Sequence, residues 1–189
     1  MIRSAAAGAL VLITLSAAGQ EACFAACHGA NGVSSTPLTP SLGGQPAFFV
    51  LAQLFLFREG RRDNALMNAA AKGLSDADLQ ALADIIAKLP PPGPPAAKPE
   101  QARFARGRAI AGKERCGNCH NADFSGHDNV PRLANQREDY LLKALRDYKK
   151  GVRTGYGMAV MPETVSGLTD AELQDVAHFL AHVVSRSGR

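Results

Sequence analysis

Cys116-Gly117-Asn118-Cys119-His120 decides how the rest of this chain is read. Two thiols three residues apart, followed at once by an imidazole, make C-x-x-C-H, the pattern by which a polypeptide attaches a c-type haem. On one helical turn, residues at i, i+3 and i+4 project from the same side. Both thiols can then add to the two vinyl groups while His120 reaches the iron. A zinc knuckle needs four ligands, usually with a second ligand pair nearby, and only His127 stands close in sequence. A disulfide between Cys116 and Cys119 would leave His120 without a purpose.

Upstream, Cys23-Phe24-Ala25-Ala26-Cys27-His28 is a relative of this motif with one extra residue between the cysteines. At roughly 100° per residue, a regular helix turns the first thiol about 140° from the His direction instead of about 40°. Cys23 forms a thioether only where the backbone bulges or unwinds; otherwise Cys27 alone anchors the haem.

The two motifs open two copies of one unit. Pro40-Ser41-Leu42-Gly43-Gly44-Gln45 aligns with Pro131-Arg132-Leu133-Ala134-Asn135-Gln136, and Phe49, Phe57 and Gly60 with Tyr140, Tyr148 and Gly151. Further on, Met67 aligns with Met161, and Gly73-Leu74-Ser75-Asp76-Ala77 with Gly167-Leu168-Thr169-Asp170-Ala171. Self-similarity of this kind marks repeated structural units. Between the copies runs Pro90-Pro91-Pro92-Gly93-Pro94-Pro95, a semi-rigid spacer. The expected organisation is a first domain over 20–89, a Pro-rich linker over 90–99 and a second domain over 100–189.

Helical periodicity dominates both copies. Ser75-x-x-Asp78 and Thr169-x-x-Glu172 have the form of capping boxes. Behind them Leu79, Leu82, Ile85, Ile86 and Leu89 make one face, repeated by Leu173, Val176, Phe179, Leu180 and Val183. Gln45–Arg58, Gln136–Lys150 and Gln101–Ala111 read as further amphipathic helices, and no stretch alternates like a strand. The fold class is all-α.

Each copy supplies one Met at the same place after its motif: Met67 is 40 residues after Cys27, and Met161 is 42 after Cys119. A lone Met is ordinarily core filler; the repetition makes Met67 and Met161 the candidate sulfur ligands opposite His28 and His120. Met158 is a rival to Met161 without a counterpart in the first copy. His178 and His182, one turn apart, lack a third metal ligand in sequence and read as ordinary helix residues.

Met1–Gly19 has a short positive start, an apolar stretch through Leu10–Leu15 and small residues at Ser16-Ala17-Ala18. That is the form of a secretory signal peptide cut after Ala18 or Gly19, which places the mature chain in the periplasm. Membrane association follows only if the segment is uncleaved. The 189 residues carry a net charge of +4, a mild basicity that does not call for nucleic acid. Residues 98–189 carry 15 basic and 11 acidic side chains against 5 and 6 over 20–97. Lys143, Arg146, Lys149, Lys150 and Arg153 are either a docking face for an acidic redox partner or a solvated helix face.

These residues resemble class I cytochromes c, and the tandem pairing resembles the dihaem cytochrome c4 family, over nearly all of the mature chain. The resemblance implies two tandem helical haem domains packed face to face, with two covalently bound haem c groups. It implies electron transfer between membrane-bound or periplasmic redox proteins, and carbonyls of Pro40 and Pro131 bonded to the ligating His rings. Two departures stand out: the extra residue in the first motif, and a first domain whose N-terminal helix would coincide with the signal peptide. Both point to a more exposed first haem. With His/Met ligation at both irons the expected role is an outer-sphere electron carrier rather than an enzyme. The alternatives are the cytochrome subunit of a periplasmic dehydrogenase or oxidase complex, and a dihaem enzyme in which one iron loses Met67 or Met161.

Overall fold

The computed structural model describes residues 24–154 and 160–185. The expected signal segment, Cys23 and Met158 lie outside the described residues. Nine helical segments are seen among the described residues: α1 (24–28), α2 (Ala47–Arg58), α3 (Ala65–Ala71), α4 (Asp76–Lys88), α5 (Gln101–Lys113), α6 (Cys116–His120), α7 (Glu138–Lys149), α8 (Val160–Ser166) and α9 (Asp170–His182). The described residues contain no strand, only an isolated bridge between His127 and Val130. None of their helices is long and apolar enough to cross a membrane.

Local chemistry sets the boundaries. The Ser75 hydroxyl accepts the Asp78 N–H while the Asp78 carboxylate accepts the Ser75 N–H, and Thr169 and Glu172 do the same for α9. These boxes satisfy backbone donors that the first helical turn leaves unpaired. Glu100 caps α5 by accepting from the N–H groups of Ala102 and Arg103. Asn64 caps α3 by accepting the Met67 N–H at 3.0 Å.

The repeat is visible as structure: α1 to α4 recur as α6 to α9, with α5 preceding the second set. In the second half α5 crosses α9, which also packs on α7. The crossing is close because Gly107 has no side chain; a Cβ there would lie 2.0 Å from the Asp175 carbonyl oxygen and 2.7 Å from the Phe179 Cβ. Around it, Phe179 meets Phe104 and Phe124 edge-on, at 5.1 and 5.5 Å, within a core that includes Leu141, Val165, Leu173 and Leu180. The cluster in the first half is smaller, built on Val50, Ala83 and Ile86.

Residues 89–100 are non-helical and pack against both halves. Pro90 and Pro91 lie over Gly43 and Gly44, and the Pro92 carbonyl accepts from Asn135 Nδ2 at 3.1 Å.

Candidate haem sites

The two motif histidines are alike. His28 is 7% exposed and His120 6%, so the expected difference between the halves does not show at these residues. Each ring places Nδ1 at 2.9 Å from a proline carbonyl, His28 on Pro40 and His120 on Pro131. A carbonyl oxygen only accepts, so Nδ1 carries the hydrogen and Nε2 keeps the lone pair a metal needs. Burial lowers the pKa of both imidazoles, opposed by the proline bond. Both properties suit a neutral ligating imidazole.

Around His120, α6 is the single turn that the motif requires. Arg115 starts it from a left-handed conformation, φ 55°, and Gly126 N–H closes the following loop on the His120 carbonyl at 3.1 Å. Among the described residues Cys27, Cys116 and Cys119 form no disulfide, which sets aside the Cys116–Cys119 disulfide. Burial pushes the Cys116 thiol up in pKa. In the first half Phe24 stacks on His28 at 5.5 Å between ring centres.

The two methionines stand on matching short helices. Met67 lies on α3, packed against α2, and Met161 on α8, packed against α7. Met161 touches the second-half core. The turn before α3 is stapled by Asn68, whose Nδ2 donates to the carbonyls of Phe57 at 2.6 Å and Arg62 at 3.0 Å. Asn64 and Asn68 thus fix where the helix that carries Met67 begins, a role that the spacing of the motifs did not reveal.

Between the halves lies an unanticipated cationic cluster. Arg62 Nη2 donates to the Tyr140 hydroxyl at 3.0 Å, while Arg62 and Arg153 both donate to Gln53 Oε1, at 2.5 and 3.3 Å. Arg153 is buried, stacks over Tyr148 at 4.7 Å, and its Nε has no hydrogen-bond partner among the described residues. Among the described residues neither guanidinium has an ion pair with a carboxylate; Asp147, which acts on Arg153 electrostatically, is paired with Lys143. Burial alone would push the Tyr140 phenol up, yet the two guanidiniums outweigh it and bring it down to about 8. A buried pair of cations this strong calls for anions.

The basic stretch is partly tied down, with Lys143, Lys149 and Lys150 exposed. Arg146 holds Asp170 through two bonds of 2.7 Å, Lys143 pairs with Asp147, Lys149 donates to the Leu168 carbonyl, and Arg153 is interior. His178 and His182 form a cluster with Glu138. His178 Nε2 accepts the Glu100 N–H at 3.0 Å, which leaves Nδ1–H to donate to Glu138 at 2.8 Å. With both nitrogens engaged, His178 ties α5, α7 and α9 together rather than binding a metal.

Known proteins agree with this arrangement. The family model described as Cytochrome c matches residues 104–183. The cytochrome c4 of Pseudomonas aeruginosa is 30% identical over 173 residues, which cover 87% of this chain and 86% of that protein. The chain belongs to the dihaem cytochrome c4 family. A second relative of this cytochrome, the "Thiosulfate dehydrogenase electron acceptor" of Thiomonas intermedia (strain K12), is 36% identical over 165 residues, 82% of this chain and 76% of that one. The solved cytochrome c4 of Acidithiobacillus ferrooxidans superposes with TM-score 0.75 at 28% identity, covering 85% of this chain and 98% of that one. A thiosulfate dehydrogenase from Marichromatium purpuratum superposes with TM-score 0.77 at 28% identity, covering 92% of this chain and 40% of that one.

As a dihaem cytochrome of this family, the chain carries two covalently bound haem c groups and works in electron transfer. The residues present fit those groups. Two buried neutral imidazoles offer Nε2, motif cysteines stand beside them, and the Arg62/Arg153 cluster, without a carboxylate partner among the described residues, suits the carboxylates that a haem bears.

Proposed function

We propose that this protein is a periplasmic electron carrier that passes single electrons between redox proteins by outer-sphere transfer. In this reading His28 and Met67 ligate one iron, and His120 and Met161 the other. Cys116 and Cys119 form two thioethers to the second haem, and Cys27, with or without Cys23, anchors the first. The observation that carries the reading is the matched pair of buried histidines, each with Nδ1–H held by a proline carbonyl at 2.9 Å, each followed by a Met on an equivalent helix. The haem supplies a one-electron couple, whose potential follows axial ligation, hydrogen bonding and burial. The chain's own residues do the rest. Pro40 and Pro131 fix ring orientation and basicity, thioether sulfur favours the reduced metal, and full ligation excludes substrate from the iron.

A second reading is favoured by the names of two similar proteins: the chain serves as the electron acceptor of a dehydrogenase, thiosulfate dehydrogenase among them. The experiment that tests the ligand set is the optical spectrum of the oxidised holoprotein. Met67→Ala and Met161→Ala each remove about half of the Met–iron charge-transfer absorption and open one iron to carbon monoxide in the reduced state. An unchanged band in either variant refutes that ligand. Rapid reduction of the wild type by a thiosulfate dehydrogenase supplied with thiosulfate separates the second reading from the first.

A further inference from the structure

The two halves are clasped by a reciprocal pair of glutamines. Gln136 Oε1 accepts the Ser41 N–H at 2.8 Å and its Nε2 donates to the Ser41 carbonyl at 2.7 Å. Gln45 treats Arg132 in the same way, accepting its N–H at 3.0 Å and donating to its carbonyl at 2.9 Å. All four residues are buried. Only one orientation of each carboxamide satisfies both bonds, because a backbone N–H needs an acceptor and a carbonyl needs a donor.

Ser41 and Arg132 follow Pro40 and Pro131 directly. The Ser41 N–H therefore belongs to the same peptide unit as the Pro40 carbonyl that holds His28, and the Arg132 N–H shares a unit with the Pro131 carbonyl that holds His120. One amide receives the imidazole hydrogen at its oxygen and gives its own hydrogen to the opposite half. Hydrogen bonds in series polarise one another, so an acceptor on the N–H makes the proline oxygen a stronger acceptor. That bond in turn raises the electron donation of the imidazole to a metal.

We propose that Gln45 and Gln136 are crossed positioning residues: Gln45 tunes His120 and Gln136 tunes His28, so each half adjusts the potential of the haem in the other. The inference rests on the His ligation proposed above. Each clasp holds its haem at a lower potential than the same domain would have alone, and the coupling runs only while the halves are docked.

The test uses the full-length holoprotein. Redox titrations follow each haem through its own hyperfine-shifted methyl resonances. Gln45→Leu raises the potential of the haem on His120 more than that of the haem on His28, and Gln136→Leu does the reverse. Gln45→Glu, which keeps an acceptor for the Arg132 N–H, does not raise it. Asp139→Ala removes a different contact between the halves, the bond from the Leu38 N–H at 3.1 Å, and produces no crossed shift. The proposal is overturned if Gln45→Leu moves chiefly the haem of its own half, moves both equally as a loosened interface would, or moves neither. His28→Ala and His120→Ala test the underlying ligation separately, since each abolishes one low-spin signal. With that result in hand, an absent crossed shift refutes the tuning alone.

Discussion

Replacing Gly107 by Ala isolates what the α5–α9 crossing contributes. The new Cβ would stand 2.0 Å from the Asp175 carbonyl oxygen and 2.6 Å from its carbon, where ordinary contact begins at 3.4 Å. The backbone cannot rotate away as a flexible side chain would, so the helices must part by about 1.4 Å at this point. That motion strains the Arg106–Asp175 bond of 2.6 Å and the Phe104–Phe179 edge contact of 5.1 Å. Overpacking of this kind costs about 1–3 kcal/mol, and a backbone clash between two buried helices belongs at the upper end. Ala is a better helix former than Gly by about 1 kcal/mol, which leaves a net loss of about 2 kcal/mol. For a chain of this length the melting temperature falls by about 4–8 °C. Gly112→Ala on the same helix is the internal control, since a Cβ there meets nothing within 4 Å; it raises stability by up to about 1 kcal/mol. Thermal unfolding of the two holoproteins by far-ultraviolet circular dichroism reads both. A Gly107→Ala variant as stable as the wild type, or shifted upward with Gly112→Ala, refutes the reasoning.

Two further outcomes are expected. The Arg146 bond, followed by that from Gln174, holds the Asp170 carboxyl down to about 2 from an ordinary 3.8; a lowered carboxyl stabilises the fold fully above its ordinary value and loses that contribution as pH falls from 3.8 towards 2. Arg146→Met therefore shows a shallower loss of stability across that window in acid titrations, and an unchanged slope counts against the pair. His178→Phe strands the Glu100 N–H and costs about 1–3 kcal/mol, read by denaturant midpoint, while added zinc leaves the wild-type midpoint where it was; a zinc-dependent rise would assign the cluster to a metal after all.

Much of the fold was legible because both copies obey the same local rules. The capping boxes at Ser75 and Thr169 lie where the motif places them, and Gln45–Arg58 and Gln136–Lys150 were long by two residues at their starts, since the glutamines turn away to bond across the interface. The site was legible where chemistry needs fixed spacing, as at Cys116–His120. It was illegible where a residue acts across space. Gln45 and Gln136 stood out as a repeat match but carried no signal of the backbone each would hold. Arg153 belongs in sequence to a basic stretch, yet it is interior because α7 ends at Lys149 and the chain beyond it turns the side chain towards Gln53 and Tyr148. Gly107 carries no signal of its role in the sequence; only the proximity of Asp175 explains it.

The reciprocal glutamine bonds also bear on how the molecule keeps to itself. Nothing in a Gln–backbone clasp distinguishes the other half of the same chain from that of a neighbour. What makes the pairing internal is the tether of residues 89–100, which holds the second half at an effective concentration in the millimolar range. Severed there, the halves would find one another only by diffusion, and dilution would then become a control on association.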